Sequence, residues 1–335
     1  MKEKLSVIEL LKRAVKLLLG NINLAFFIFL CSLPLFCFLI FFELSLQTTV
    51  AFTCQFLSKQ FNFEKDFFWE DLSENDLIPW LIKTSLLYFI PYSFLDLITT
   101  TTIVAASSVV YTSKEEPIGM VSLMRRSVET CRNRARSCLI TSLYVLLLST
   151  SVFLFFFLFF LLLFFGFFSN WTKSLIIAPL LPQYENFLEL VPVLIYAVGV
   201  LVQGTLFLYI TVKLSKGSAG WNMSLVVSVL EEEDDICGID ALSLSALYRR
   251  GHERRDLWMM LVFLVFALAT RVPCLYCKCS LSSSGNGVLY TGLYVGLICV
   301  GNVVKWLACV VRYYDCKVSF LRKKADVEQA KPPST

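Results

Sequence analysis

LITSLYVLLLSTSVFLFFFLFFLLLFFGFF, residues 139–168, carries no charged side chain and consists largely of Phe and Leu. A helix needs about 20 apolar residues to cross a hydrocarbon core about 30 Å thick, so this stretch by itself places the chain in a bilayer. Working outward, the apolar runs fall at 24–42, 86–110, 139–165, 190–212, 257–272 and 288–311. The fifth is the shortest, closed by Arg271 and a group of cysteines. Composition agrees, with 57% hydrophobic and 17% charged residues and a mean hydropathy of +0.69. A soluble domain holds about 45–50% and about 25% respectively. The expected fold is an all-α membrane protein of about six transmembrane helices. Residues 1–322 form one membrane domain, and 323–335 are a short polar tail expected to be disordered.

The two longest connections, 43–83 and 213–256, are each about 40 residues long, at or below the size at which a domain folds unaided. No soluble catalytic domain is therefore expected. The first span follows basic residues as a signal peptide does, but it is longer than the usual apolar core of about 7–15 residues and lacks a small-x-small cleavage site. It is expected to be retained.

Basic residues near span ends stay on the cytosolic side. Alternate segments (before the first span, 111–138, 213–256, and after the last span) hold 23 of the lysines and arginines, against 6 in the segments between them. Both termini are thus expected in the cytosol. The sequon Asn170-Trp171-Thr172 falls on the opposite, lumenal side and is a glycosylation candidate. Asn222-Met223-Ser224 falls on the cytosolic side and should stay bare.

The basic segments read as amphipathic helices. Ser6 and Glu9 have capping-box spacing, and Val7, Leu11, Ala14, Val15 and Leu18 recur at helical spacing opposite Lys12, Arg13 and Lys16. Gly20 is the expected stop. Such a helix should lie flat on the membrane with its apolar face down. A second helix is expected from near Pro117, through Arg125, Arg126 and Arg132, to Arg136. In a third, Asp240 is the expected N-cap and Arg249-Arg250-Gly251 the close. The chain thus reads as three units of surface helix, span, outer loop and span. Lys12, Arg13, Lys16, Arg125, Arg126, Arg132, Arg249 and Arg250 are the candidate contacts to anionic lipid.

Few residues suggest chemistry. The chain has one histidine, His252, expected in an exposed loop, and no two-histidine metal motif, P-loop, G-x-G-x-x-G or G-x-S-x-G. Neither a catalytic residue nor a cofactor is expected, and nothing points to nucleic acid. Asp96 stands mid-span, with Thr99 and Thr100 following. An ionisable group there by default marks an ion or proton path; the competing explanation is an aspartate held by hydroxyls of its own or a neighbouring helix. Cys274, Cys277 and Cys279, with Cys54, make four lumenal cysteines and candidate disulfides. Were the topology reversed there, they would be acylation candidates. The run Glu231–Asp235 reads as a solvated turn, with a divalent cation as the alternative.

Two blocks carry a resemblance. SSVVYTSKEEP (107–117), with the arginine-bearing helix after it, and WNMSLVVSVLEEEDDICGIDALSLSALYRRG (221–251) resemble a plant family of multi-pass transmembrane proteins that has no settled activity. The telling patterns are W-x-x-S-x-V-V-S-V-L-E and A-L-x-x-S-x-L-x-x-x-G. The resemblance implies six membrane helices and supplies no catalytic residue. The functional expectation is a non-enzymatic protein of the endoplasmic reticulum or plasma membrane, working through lipid or protein contacts at the cytosolic leaflet. Self-association is compatible with it. The alternative is a transporter or channel using Asp96.

Overall fold

The computed structural model describes residues 6–60, 74–113, 118–177, 190–231, 236–280 and 287–329. Among these it forms eight helices and no strand: α1 (Val7–Leu19), α2 (Ile22–Gln60), α3 (Glu74–Thr112), α4 (Met120–Ile177), α5 (Leu190–Leu230), α6 (Ile239–Arg249), α7 (Glu253–Ser280) and α8 (Gly287–Gln329). Four described stretches are long and apolar enough to cross a membrane: Ile22–Leu44, Tyr88–Thr112, Met120–Phe156 and Leu289–Asp326. They overlie the first, second, third and sixth expected spans. The fourth and fifth fall on α5 and α7, both helical, but the described side chains there do not by themselves amount to a spanning run.

α8 is the central helix, packed against α1, α2, α3, α5, α6 and α7. From Trp306 to Tyr313 every residue is buried, so this part is enclosed on all sides rather than on one stripe. The hydrophobic core around it takes Ile103–Ala106 from α3, Val226 and Val227 from α5, Leu24 and Ile28 from α2, and Leu10 and Ala14 from α1. At Gly301 an added Cβ would lie 2.5 Å from the Phe266 ring, so α7 and α8 meet across a position with no side chain.

The basic segments gather at the same end of the bundle. Asn23 Nδ2 donates to the Ile118 carbonyl at 3.0 Å, tying the α1–α2 turn to the start of α4. The Gly238 N–H donates to Thr141 Oγ1 at 2.9 Å, and Ser108 and Tyr314 share a hydroxyl hydrogen bond of 2.6 Å between α3 and α8.

Several local expectations need correction. α1 does not rest on lipid by its main apolar face, because Leu10 and Ala14 are buried against protein and α1 packs on α8. Only half of its capping box forms: Ser6 Oγ accepts from the Glu9 N–H at 3.2 Å, while the Glu9 carboxylate turns to Arg13. α5 runs well past residue 212 to Leu230, and its last turns enter the core. α6 is capped by Gly238, not Asp240, which sits in the first turn. Gly238 has φ +55°, a left-handed conformation open to glycine. α4 starts at Met120, three residues beyond Pro117. Helix continues through 323–329, where a disordered tail was expected. Tertiary packing carries α5 past the point where local composition alone would end it, since its last turns are buried.

The block 221–251 gains a physical meaning. Ser224, Val226, Val227, Ser228 and Val229 are buried on α5, and Ala241, Ser245 and Tyr248 are buried on α6. These residues pack the end of α5 and α6 against α8 and its neighbours.

Candidate functional site

Two arrangements stand at the basic end, one exposed and one buried. The exposed one is a pair of mixed stripes. On α1, Ile8, Lys12, Val15 and Leu19 fall at i, i+4, i+7 and i+11, one line along the helix. Ile8 is 79% and Leu19 76% exposed, and Ile22 continues the line into α2. On α4, Val121, Arg125, Val128 and Arg132 repeat the spacing, with Val121 82% exposed. The Asn23–Ile118 hydrogen bond ties the turn after α1 to the start of α4. α1 therefore has two apolar faces, one buried in protein and one flank left bare beside Lys12 and Lys16. Apolar side chains next to long basic ones match a headgroup boundary, where the stems lie along hydrocarbon and the charges reach the phosphates.

The buried arrangement is ionic. Asp256, on the first turn of α7, is 2% exposed and takes one arginine on each oxygen. Arg249 Nε donates to Oδ2 and Arg312 Nε to Oδ1, both at 2.8 Å. Arg312 Nη1 also reaches Asp315 Oδ2 at 3.1 Å, and Arg255 Nη2 lies 3.4 Å from the same oxygen. Arg255 donates to His252 Nδ1 at 2.7 Å, which makes that nitrogen an acceptor. Arg249 additionally donates to the Lys216 carbonyl of α5 at 3.3 Å. It passes over Gly220, where an added Cβ would meet its Nη1 at 2.6 Å. Four segments (α5, α6, α7 and α8) are thereby pinned at one point. Gly251, with φ +86°, makes the turn that swings α7 back so that Asp256 faces Arg249.

A second node sits beside it. Lys317 Nζ donates to Glu231 Oε2 at 2.7 Å and Tyr248 OH to Oε1 at 2.6 Å. Burial works to raise the Glu231 pKa, but the Lys317 and Tyr248 hydrogen bonds outweigh it and hold the carboxyl below its usual range. The rings of Tyr248, Tyr313 and Phe320 pack around this pair edge to face.

The other candidates divide clearly. Lys12, Arg13, Lys16, Arg125, Arg126, Arg132 and Arg250 are exposed at the basic end. Arg249 is not, being held inward by Asp256, and its side chain is 12% exposed. His252, expected in the open, is buried, because the α6–α7 turn is tucked under α8 rather than extended into solvent. Asp96 lies on α3 near Asn302 and Lys305 of α8, a polar and a cationic neighbour that the sequence did not reveal. Thr99 and Thr100 are buried behind it. Asn222, half-buried on α5, donates toward Met260 Sδ at 3.4 Å. The side chains of Asn170, Cys54, Cys274, Cys277 and Cys279 lie outside the described residues, as do 232–235 of the acidic run. Among the described residues, no group of His, Cys, Asp and Glu is arranged to hold a metal ion.

Asp256, Arg312 and Lys317 were not singled out from sequence, and Glu231, expected in a solvated turn, is instead held by Lys317 and Tyr248 with its side chain 12% exposed. Asp256 and Arg312 are 56 residues apart, and the only local signal was an aspartate directly ahead of an apolar run. Compared with family models, curated proteins and solved structures, the chain matches none.

Proposed function

We propose that this chain is a six-span, non-enzymatic membrane protein of the endoplasmic reticulum or plasma membrane, both termini cytosolic, whose basic end binds anionic lipid headgroups and the proteins that gather there. The observation that carries this is the pair of mixed stripes on α1 and α4, bare apolar residues alternating with Lys12, Arg125 and Arg132 at one spacing. A basic residue close to an anionic leaflet contributes about 1 kcal/mol, so the exposed cations together favour that surface by several kcal/mol. The buried Asp256 network holds α5 to α8 in place behind them.

For transport, Asp96 would have to titrate or exchange partners. Its burial beside Asn302 and Lys305 supports instead a fixed polar contact between α3 and α8. The test of the leading function is electron spin resonance with spin-labelled lipids on the reconstituted protein. Phosphatidylserine should associate more strongly than phosphatidylcholine. The preference should fall with salt and shrink in a Lys12→Gln/Lys16→Gln/Arg125→Gln/Arg132→Gln variant. Equal association of both lipids at low salt would overturn it.

A further inference from the structure

α7 is fastened at two levels. Near its start Asp256 holds Arg249 and Arg312, each at 2.8 Å. Farther along, Arg271 Nη2 lies 3.7 Å from Glu43 Oε1 of α2. Between these ties the bare surface is apolar, formed by Trp258, Val262, Val265, Phe266 and Leu268. Tryptophan is enriched at headgroup boundaries, and Trp258 is 62% exposed, with the exposed Glu253 and Arg254 just before it. At the other edge the Arg271 side chain is 51% exposed, and an arginine bare to hydrocarbon is costly. A free arginine can extend its stem to a distant headgroup. Here Glu43 holds the guanidinium at its own level. From Trp258 to Arg271 is 13 residues, about 20 Å at about 1.5 Å per residue.

α2 supplies the comparison. From its bare Ile22 to Glu43, the residue that meets Arg271, is 21 residues, about 31 Å. Tilt does not remove the difference. Shortening α2 to about 20 Å along the membrane normal takes about 50°, whereas membrane helices tilt by about 0–40°.

We propose that α7 thins the bilayer along its flank, pulling phospholipid headgroups to Trp258 at one edge and to the Arg271–Glu43 pair at the other. Its lipid partner is a layer with a hydrocarbon depth of about 20 Å, against about 30 Å for an ordinary bilayer. Because both edges are tied to other helices, α7 cannot slide to lengthen the band, and the lipid takes up the mismatch. The inference rests on the six-span arrangement proposed above, in which α7 is the fifth span, and it does not depend on the basic stripes.

The test compares the depths of two bare positions in one bilayer: Val265, midway along the α7 band, and Leu33, midway along α2. A nitroxide is attached at one or the other through an encoded ketone-bearing amino acid, which leaves the native cysteines untouched. The full chain is reconstituted in dioleoylphosphatidylcholine, and depth is read from the balance of collisions with oxygen and with a water-soluble nickel chelate. Val265 should lie about 5 Å shallower than Leu33, and Arg271→Leu should deepen Val265 toward it. Equal depths in the unmodified chain, or a Val265 depth unmoved by Arg271→Leu, would overturn the proposal; the first comparison stands whether or not the variant folds. A glycosylation acceptor on a flexible insertion after Ser283, assayed in microsomes, checks the span separately. Glycosylation there together with equal depths refutes the thinning alone, and its absence refutes the six-span arrangement and the thinning with it.

Discussion

Replacing Asp256 by Asn should be among the most damaging conservative changes this chain can undergo. Both arginines of the network lose their shared counter-charge at once, while a side chain of nearly the same shape remains. Arg312 keeps Asp315 at 3.1 Å, and Arg249 keeps only the Lys216 carbonyl at 3.3 Å. Two unit charges about 4 Å apart attract by about 4 kcal/mol at an effective dielectric of about 20. Removing one partner from a buried pair typically costs about 3–5 kcal/mol, because the other charge is left uncompensated. The same range applies here, since the Asp256 and Arg312 side chains are each only 3% exposed. The assay is denaturant unfolding in mixed micelles, followed by tryptophan fluorescence, for the unmodified chain and for Asp256→Asn. A triple variant, Arg249→Met/Asp256→Leu/Arg312→Met, is the control. Hydrophobic replacement of a whole buried ionic group is often neutral or better, so the triple should recover most of the loss. A cost below about 1 kcal/mol for Asp256→Asn, the level of an exposed surface pair, would refute the reasoning.

Three further outcomes follow from the same geometry. Gly220→Ala should destabilise by about 1–3 kcal/mol by pushing against the pinned Arg249 guanidinium, although alanine is the better helix former by about 1 kcal/mol; the same unfolding assay reads it. The Glu231 pKa is lowered on folding from an ordinary 4.5, so its contribution is fully present above that value and is lost as pH falls through the lower folded pKa. Glu231→Gln should therefore flatten the acid limb of a stability-versus-pH curve below about pH 4.5, and an unchanged limb would assign that slope to other groups. Asp96→Asn should leave ion flux across proteoliposomes unaltered while weakening the α3–α8 contact in an unfolding assay; a flux that vanishes with this change would restore the transport alternative.

What the sequence shows and what it hides differ by range. The run 139–168 is legible because crossing a bilayer needs only composition and length, both local properties. The alternation of basic segments is equally local, and the structure brings those segments to one end. Arg249 and His252 were misplaced for the opposite reason. As a one-dimensional pattern, Arg249-Arg250-Gly251-His252 looks like a solvated helix end. In three dimensions α6 folds under α8, and Asp256 draws Arg249 inward. Asp96 lacked a visible partner for the same reason, since Asn302 and Lys305 reach it only once α3 and α8 pack. α1 shows a subtler failure. Its apolar arc was read as one face for one medium, whereas Leu10 and Ala14 meet protein and Ile8 and Leu19 remain bare. Periodicity finds the width of an apolar face and does not say which neighbour covers each part.

The central claim is that the bare flank of α1 and the start of α4 lie in an anionic leaflet. The most direct measurement places a photoreactive benzophenone amino acid, one position at a time, at Ile8, Leu19 and Val121, and at Glu9 and Arg13 on the opposite side of α1. After illumination in bilayers of mixed phosphatidylcholine and phosphatidylserine, lipid adducts are counted by mass spectrometry. Ile8, Leu19 and Val121 should give abundant adducts enriched in phosphatidylserine, and Glu9 and Arg13 few. Equal adduct yields at all five positions, or adducts that mirror the bulk lipid ratio, would contradict the claim.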